Sequence, residues 1–125
     1  MKILVVDDNK INRQFIYYSL KSYFEIEMAG NGLEAVDRLA RENFDLVLMD
    51  LSMPVMDGAE ATEMIRQSKN IHIANIPIIF VTTSDFEHDK IRCLDKGAND
   101  YLVKPLDSKI LLEKINFYLQ KNTVG

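Results

Sequence analysis

Short apolar runs recur along this chain, separated by stretches whose apolar residues return every three or four positions. Five runs predict strands: Ile3–Val6, Phe24–Ala29, Leu46–Met49, Ile78–Val81 and Tyr101–Val103. Most of them are rich in Val, Ile and Leu without alternation, as expected of strands buried on both faces. Phe24-Glu25-Ile26-Glu27-Met28 alternates instead, which predicts an edge strand with one wet face. The intervening stretches predict helices over Lys10–Ser22, Gly32–Arg41, Ala59–Gln67, Phe86–Lys96 and Asp107–Tyr118. Their spacing sets Ile11, Phe15 and Ser19, with Ile16 and Leu20 on adjacent rows, along the first helix, turns Ala35, Val36, Leu39 and Ala40 inward in the second, and sets Phe86, Ile91, Cys93 and Leu94 along the fourth. Gly97 is suited to end the fourth helix, and Asp107 or Ser108 to cap the last.

Alternating strands and helices predict a parallel sheet, and right-handed crossovers spread the helices over both of its faces. The fold class is α/β: a flavodoxin-like, doubly wound five-stranded parallel sheet of order 2-1-3-4-5 with five helices, in three α/β/α layers. No linker, repeat or low-complexity stretch interrupts it. One domain over residues 1–121 is expected, followed by a polar tail, 122–125, that frays.

Bulk properties narrow the function. The chain has 125 residues, 47% hydrophobic and 27% charged, enough for one globular core without disulfides or structural zinc. A net charge of −4 argues against direct nucleic-acid binding. The lone Cys93 has no internal partner, which suits a reducing cytosol. No run is long enough to span a bilayer, and Met1-Lys2 leads into the first strand without a signal-peptide pattern. The domain is therefore expected to begin its chain, to lie in the cytoplasm and to have no membrane partner.

The chemistry gathers where the runs stop. Ile3–Val6 runs into Asp7-Asp8, Leu46–Met49 into Asp50, and Tyr101–Val103 into Lys104-Pro105. With order 2-1-3-4-5 these carboxyl ends share the sheet edge at which open α/β sheets bind ligands. Three gathered carboxylates repel one another unless a cation joins them, and oxygen ligands favour a hard one such as Mg²⁺. Lys104 adds a point charge for an anion arriving beside the metal. The site reads as a place for a phosphoryl group. Alone, Asp7-Asp8 serves equally as a helix cap. Asp50 is harder to explain structurally, because it closes a buried strand where an unpaired carboxylate is costly. Thr82 is either a strand-end threonine or a hydroxyl donor to a phosphoryl oxygen, and Tyr101 a half-buried strand aromatic. The Lys104-Pro105 bond admits a cis form. Cys93 suits helix packing, and His72 and His88 have no metal-ligand pattern.

Three stretches carry a resemblance that covers essentially the whole chain. They are Leu4-Val5-Val6-Asp7-Asp8-Asn9, Met49 through Gly58 (Met-Asp-Leu-Ser-Met-Pro-Val-Met-Asp-Gly), and Gly97 through Pro105 (Gly-Ala-Asn-Asp-Tyr-Leu-Val-Lys-Pro). In order and spacing they resemble the signatures of the receiver domain of two-component response regulators, the CheY-like family. The resemblance implies that Asp50 accepts a phosphoryl group from a phosphohistidine of a sensor histidine kinase or histidine phosphotransfer protein. It implies Mg²⁺, with Mn²⁺ as a substitute, held by Asp8, Asp50 and the Ser52 backbone carbonyl, and by Asp7 mostly through water. Lys104 would pair first with Asp50 and then with the phosphoryl oxygens. Thr82 and Tyr101 would form the switch pair, Thr82 swinging toward the new oxygens and Tyr101 turning inward behind it. The face formed by the fourth helix, fifth strand and fifth helix would then meet an effector or a second copy. Ser52, Thr83 and Ser84 would tune the lifetime of the phosphorylated state. Such a domain catalyses only its own phosphorylation and dephosphorylation.

Other functions fit less well. A Mg²⁺-dependent phosphohydrolase with an aspartyl nucleophile, of the haloacid-dehalogenase kind, wants a second aspartate two residues after Asp50, where Ser52 stands. A flavin module wants a Gly- and hydroxyl-rich loop after the first strand, where Asp7-Asp8 would repel a phosphate. A degenerate docking module would not need the complete acidic set and Lys104.

Overall fold

The structure is a computed structural model that describes residues 1–124, with side chains through residue 120. Its elements are β1 (Lys2–Val6), α1 (Lys10–Leu20), β2 (Glu25–Ala29), α2 (Gly32–Arg41), β3 (Leu46–Met49), α3 (Gly58–Arg66), α4 (Ile71–Ala74), β4 (Ile78–Thr82), α5 (Glu87–Asp95), β5 (Asp100–Val103) and α6 (Ser108–Val124). The five strands pair in parallel in the order β2-β1-β3-β4-β5. The non-alternating strands β1, β3 and β4 lie inside the sheet, and the alternating β2 lies at its edge. An all-parallel sheet needs cover on both faces, and uniformly apolar strands supply surface to both.

Each face has its own core. On one, Ile3, Val5, Leu48 and Val81 meet Ile16 and Leu20 of α1 and Leu111, Ile115 and Leu119 of α6. On the other, Leu4, Val6, Val47, Met49 and Phe80 meet Ala35 and Leu39 of α2, Ala61 and Ile65 of α3, and Cys93 of α5.

The pattern predicts five helices; the described residues form six. The additional α4 is a single turn capped by Asn70, whose Oδ1 accepts the Ile73 N–H at 3.2 Å, and one turn is too short to display a period. Ala40, predicted inward, is exposed, and so are Ile11, Phe15, Phe86, Ile91 and Leu94 of the apolar spacing. Three- and four-residue spacing marks a stripe wider than the line along which a helix touches the sheet. Asp107 caps α6, accepting the N–H groups of Lys109 at 2.8 Å and Ile110 at 3.4 Å. That helix continues through Val124, past the predicted domain end at residue 121. Gly125 of the predicted tail lies outside the described residues.

Candidate functional site: an acidic cluster at the carboxyl edge

Register builds the site. Val6 lies opposite Met49, so the next residues, Asp7 and Asp50, leave the sheet side by side. The Asp50 N–H donates to the Val6 carbonyl at 2.9 Å, and the Asp7 N–H to Ala29 at 3.1 Å. Across the sheet, Thr82 lies opposite Val103 and accepts the Lys104 N–H on its carbonyl at 2.7 Å. The Lys104-Pro105 bond is cis.

Carboxylate oxygens of Asp7, Asp8 and Asp50 lie within 4.8 Å of one another. Asp7 and Asp50 are buried and Asp8 is exposed. Lys104 Nζ donates to Asp7 Oδ2 at 2.9 Å and stands 3.9 Å from Asp50 Oδ2. The expected first pairing of Lys104 with Asp50 is thus displaced toward Asp7. Asp7 Oδ1 already accepts the Asn9 N–H at 2.9 Å, and its second oxygen, buried beside it, would lack a partner without the lysine. Both Asp7 oxygens are therefore engaged, whereas Asp8 is open to solvent.

Asp50 Oδ1 accepts the Leu51 N–H at 2.8 Å, and Oδ2 faces Lys104. The Asp50 carboxyl is pushed up to about 6. Burial is the main cause and Asp7 adds repulsion, while Lys104 and hydrogen bonds from Thr82 and Leu51 pull it down. A buried carboxylate that resists ionising beside two others suits a cation. The donor set is all oxygen, which fits Mg²⁺.

The loop after Asp50 is closely fitted. A Cβ on Gly58 would come within 2.1 Å of the Asp50 carbonyl oxygen and 2.8 Å of the Phe80 ring, so only glycine allows α3 to start there. Val55 has φ +70°, a strained conformation for a β-branched residue. Ser52 is exposed on this loop and Thr83 is exposed beyond β4.

Tyr101 departs from the expected starting position. Its ring is buried, stacks on Phe80 with centroids 6.2 Å apart, and its hydroxyl donates to the Ser84 carbonyl at 2.8 Å. The inward position expected after phosphorylation is already occupied, because Phe80 and the Ser84 carbonyl offer the ring and its hydroxyl partners there.

Three contacts around the site have no local sequence signal. Ser84 Oγ donates to Asp89 Oδ2 at 2.5 Å, and Arg92 donates to Asp57 Oδ2 at 3.0 Å. Arg66, its charge disfavoured by burial, donates to the carbonyls of Gly97, Ala74 and Ile76 and to Asn99 Oδ1. The Arg92 and Arg66 contacts join segments far apart in sequence, and the Ser84 contact spans the start of α5. Cys93 is buried and its thiol is pushed up to about 12 by burial, which suits packing. His72 and His88 are both exposed, and His72 Nε2 lies 2.9 Å from the Phe44 carbonyl.

Comparison with known proteins assigns the same family. The family model described as the response regulator receiver domain matches residues 3–116. The chain is 40% identical over 115 residues to the CAI-1 autoinducer sensor kinase/phosphatase CqsS of Vibrio cholerae, covering 91% of this chain and 17% of that protein. It is 34% identical to the response regulator MprA of Mycobacterium leprae, covering 97% of this chain and 52% of that protein. Among solved structures, the receiver domain of sensor histidine kinase PA1611 from Pseudomonas aeruginosa has TM-score 0.88 and 34% identity, covering 95% of this chain and 97% of that one; it holds a magnesium ion in its active-site cleft. The chain thus spans only part of the length of these curated relatives. An acidic edge closed by a lysine, on a sheet of this order and with this match, makes the chain a member of the response regulator receiver domain family.

Proposed function

We propose that Asp50 is the phosphoacceptor of this receiver domain. The observation that carries the reading is the convergence of three carboxylates within 4.8 Å with Lys104 between two of them. Asp50 Oδ2 attacks the phosphorus of a phosphohistidine on a histidine kinase or phosphotransfer protein. A P–O bond forms, the P–N bond breaks, and the imidazole nitrogen keeps the electron pair. Phosphoryl transfer needs mainly positioning and charge neutralisation. Lys104 moves from its carboxylate contacts to the phosphoryl oxygens, and Thr82 donates its hydroxyl to one of them. Asp8, Asp50 and the Ser52 carbonyl, with Asp7 behind them, would hold Mg²⁺, which offsets the charge of the incoming group when bound. Water enters past Ser52, Thr83 and Ser84, whose sizes set the lifetime of the acyl phosphate.

The chain's only chemistry is then its own phosphorylation and dephosphorylation. A phosphohydrolase needs an acid at Ser52, and that reading is not favoured. Phosphorylation adds roughly −1.5 to −2 charge, and the response is read on α5, β5 and α6. Phe86, Ile91, Val103, Ile110 and Phe117 stand exposed there, available to an effector or a second copy of the chain. No helix among the described residues is long and apolar enough to cross a membrane, and the reading assigns the domain to the cytoplasm, where a kinase phosphodonor would meet it.

Incubation with Mg²⁺ and acetyl phosphate, followed by intact-mass measurement, tests this. A single phosphoryl adduct that requires Mg²⁺ and disappears in Asp50→Asn is expected. An adduct that persists in Asp50→Asn, or steady release of phosphate at high turnover, would overturn it.

A further inference from the structure

Ser84 bonds to four residues at once. Its N–H donates to Thr82 Oγ1 at 3.4 Å, and its carbonyl accepts from the Tyr101 hydroxyl at 2.8 Å. Its own hydroxyl donates to Asp89 Oδ2 at 2.5 Å and accepts the Phe86 N–H at 3.4 Å. Asp89 is the third residue of α5, from which an acidic side chain commonly reaches back to the N-cap N–H. Here Ser84 Oγ stands between them, because the N-cap residue is Phe86 and has no side chain able to cap. Asp89 is held well inside the ionised range, chiefly by the Ser84 hydroxyl, so Ser84 stays a donor toward it.

Seen only from α5, this is a helix cap relayed through a serine. The backbone of the same serine carries it further. Thr82 Oγ1 accepts from Ser84 and stands near enough to Asp50 for its hydroxyl to favour the ionised carboxylate. The Ser84 carbonyl is also the partner that keeps the Tyr101 hydroxyl inward. On its other side α5 is tied to the loop after Asp50 through Arg92 and Asp57.

We propose that Asp89 and Ser84 are positioning residues for phosphorylation at Asp50: Asp89, through the Ser84 hydroxyl, fixes the peptide that orients Thr82 and anchors Tyr101. The proposal rests on Asp50 being the acceptor. When Thr82 turns to the phosphoryl oxygens it gives up the Ser84 N–H. The strain passes through one residue to Tyr101 and to the first turn of α5, beside the exposed Phe86 and Ile91. Neither residue touches the reacting atoms.

Four variants, Asp89→Asn, Ser84→Ala, the two combined, and Ser84→Thr, test this with two readouts. One is the ¹⁹F signal of Tyr101 in unphosphorylated, metal-free, 3-fluorotyrosine-labelled protein, assigned with Tyr101→Phe. The other is the rate of phosphorylation by acetyl phosphate with Mg²⁺. Each of the first two variants should shift or broaden the Tyr101 signal and slow phosphorylation roughly three- to tenfold. Ser84→Thr, which keeps the hydroxyl, should leave the Tyr101 signal as in the wild type. The combined variant should be no slower than the slower single one, because both remove the same bond. An unchanged Tyr101 signal with only a lowered melting temperature would reduce the contact to a helix cap and overturn the proposal, as would rate losses that multiply in the combined variant. If the wild-type chain accepts no phosphoryl group, the Asp50 reading fails, while the Tyr101 signal still decides the relay.

Discussion

Asp50 is a buried acid whose folded environment favours its proton. Its carboxyl is pushed from 3.8 to about 6, mainly by burial. The folded chain therefore binds this proton more tightly than the unfolded chain does. The stability it contributes is fully present below about pH 4 and is lost as pH rises through 6. Asp50→Asn removes that dependence. In metal-free protein the variant should gain on the wild type between pH 5 and pH 8, by ~1–3 kcal/mol at the upper end. Urea unfolding of both proteins at the two pH values measures the difference. A difference that does not change with pH would mean that Asp50 ionises freely. The acidic character of this position is readable in the chain, since a carboxylate after a buried strand has few structural uses. Its oxygen-by-oxygen division of labour is not. That Leu51 takes Oδ1, and that Lys104 leans toward Asp7, follow from distances set by strands far apart in sequence.

At the scale of elements, α1 is the least conventional. Its apolar spacing includes Ile11 and Phe15, yet they are 74% and 46% exposed. Ile16 and Leu20 alone reach the core beneath it. The outward pair borders a cleft of about 270 Å³ that also includes Lys104, Pro105 and Leu106. Lys104 belongs to both the cleft and the acidic site, so, on the proposal that Asp50 is the phosphoacceptor, a donor protein docking at Asp50 would contact these apolar residues. Phe15→Ala combined with Ile11→Ser should slow transfer from a phosphorylated donor protein by about tenfold, from loss of roughly 1.5 kcal/mol of apolar contact. Transfer from acetyl phosphate should stay as it is. Equal slowing with both donors would place the fault in the site itself. Periodicity located this helix correctly but could not tell its core-facing side from its solvent-facing side, since both carry apolar residues.

The whole molecule behaves as a device for bringing like charges together. β1 and β3 carry the acids and β5 carries the lysine, and the two cores hold these strand ends in place against the repulsion. A cation that binds only the folded arrangement stabilises it by mass action. Mg²⁺ at ten times its dissociation constant should add about 1.4 kcal/mol. The melting temperature should therefore rise with Mg²⁺, fall back with a chelator, and respond weakly in Asp8→Ala. A melting temperature indifferent to Mg²⁺ at every concentration would show that the carboxylates do not act as one site.

The strand order, the edge placement of β2 and the identity of the acidic residues were determined by the sequence itself. Uninterrupted apolar runs can be buried only between two layers of helices, and charges at their ends can emerge only at one edge. Tertiary structure alone decided the rest: the inward Tyr101, the Lys104–Asp7 contact, the single-turn α4, and the junction at Ser84 and Asp89. These depend on which atoms of separate elements arrive within about 3 Å of one another, and no local pattern of side chains encodes a distance between elements.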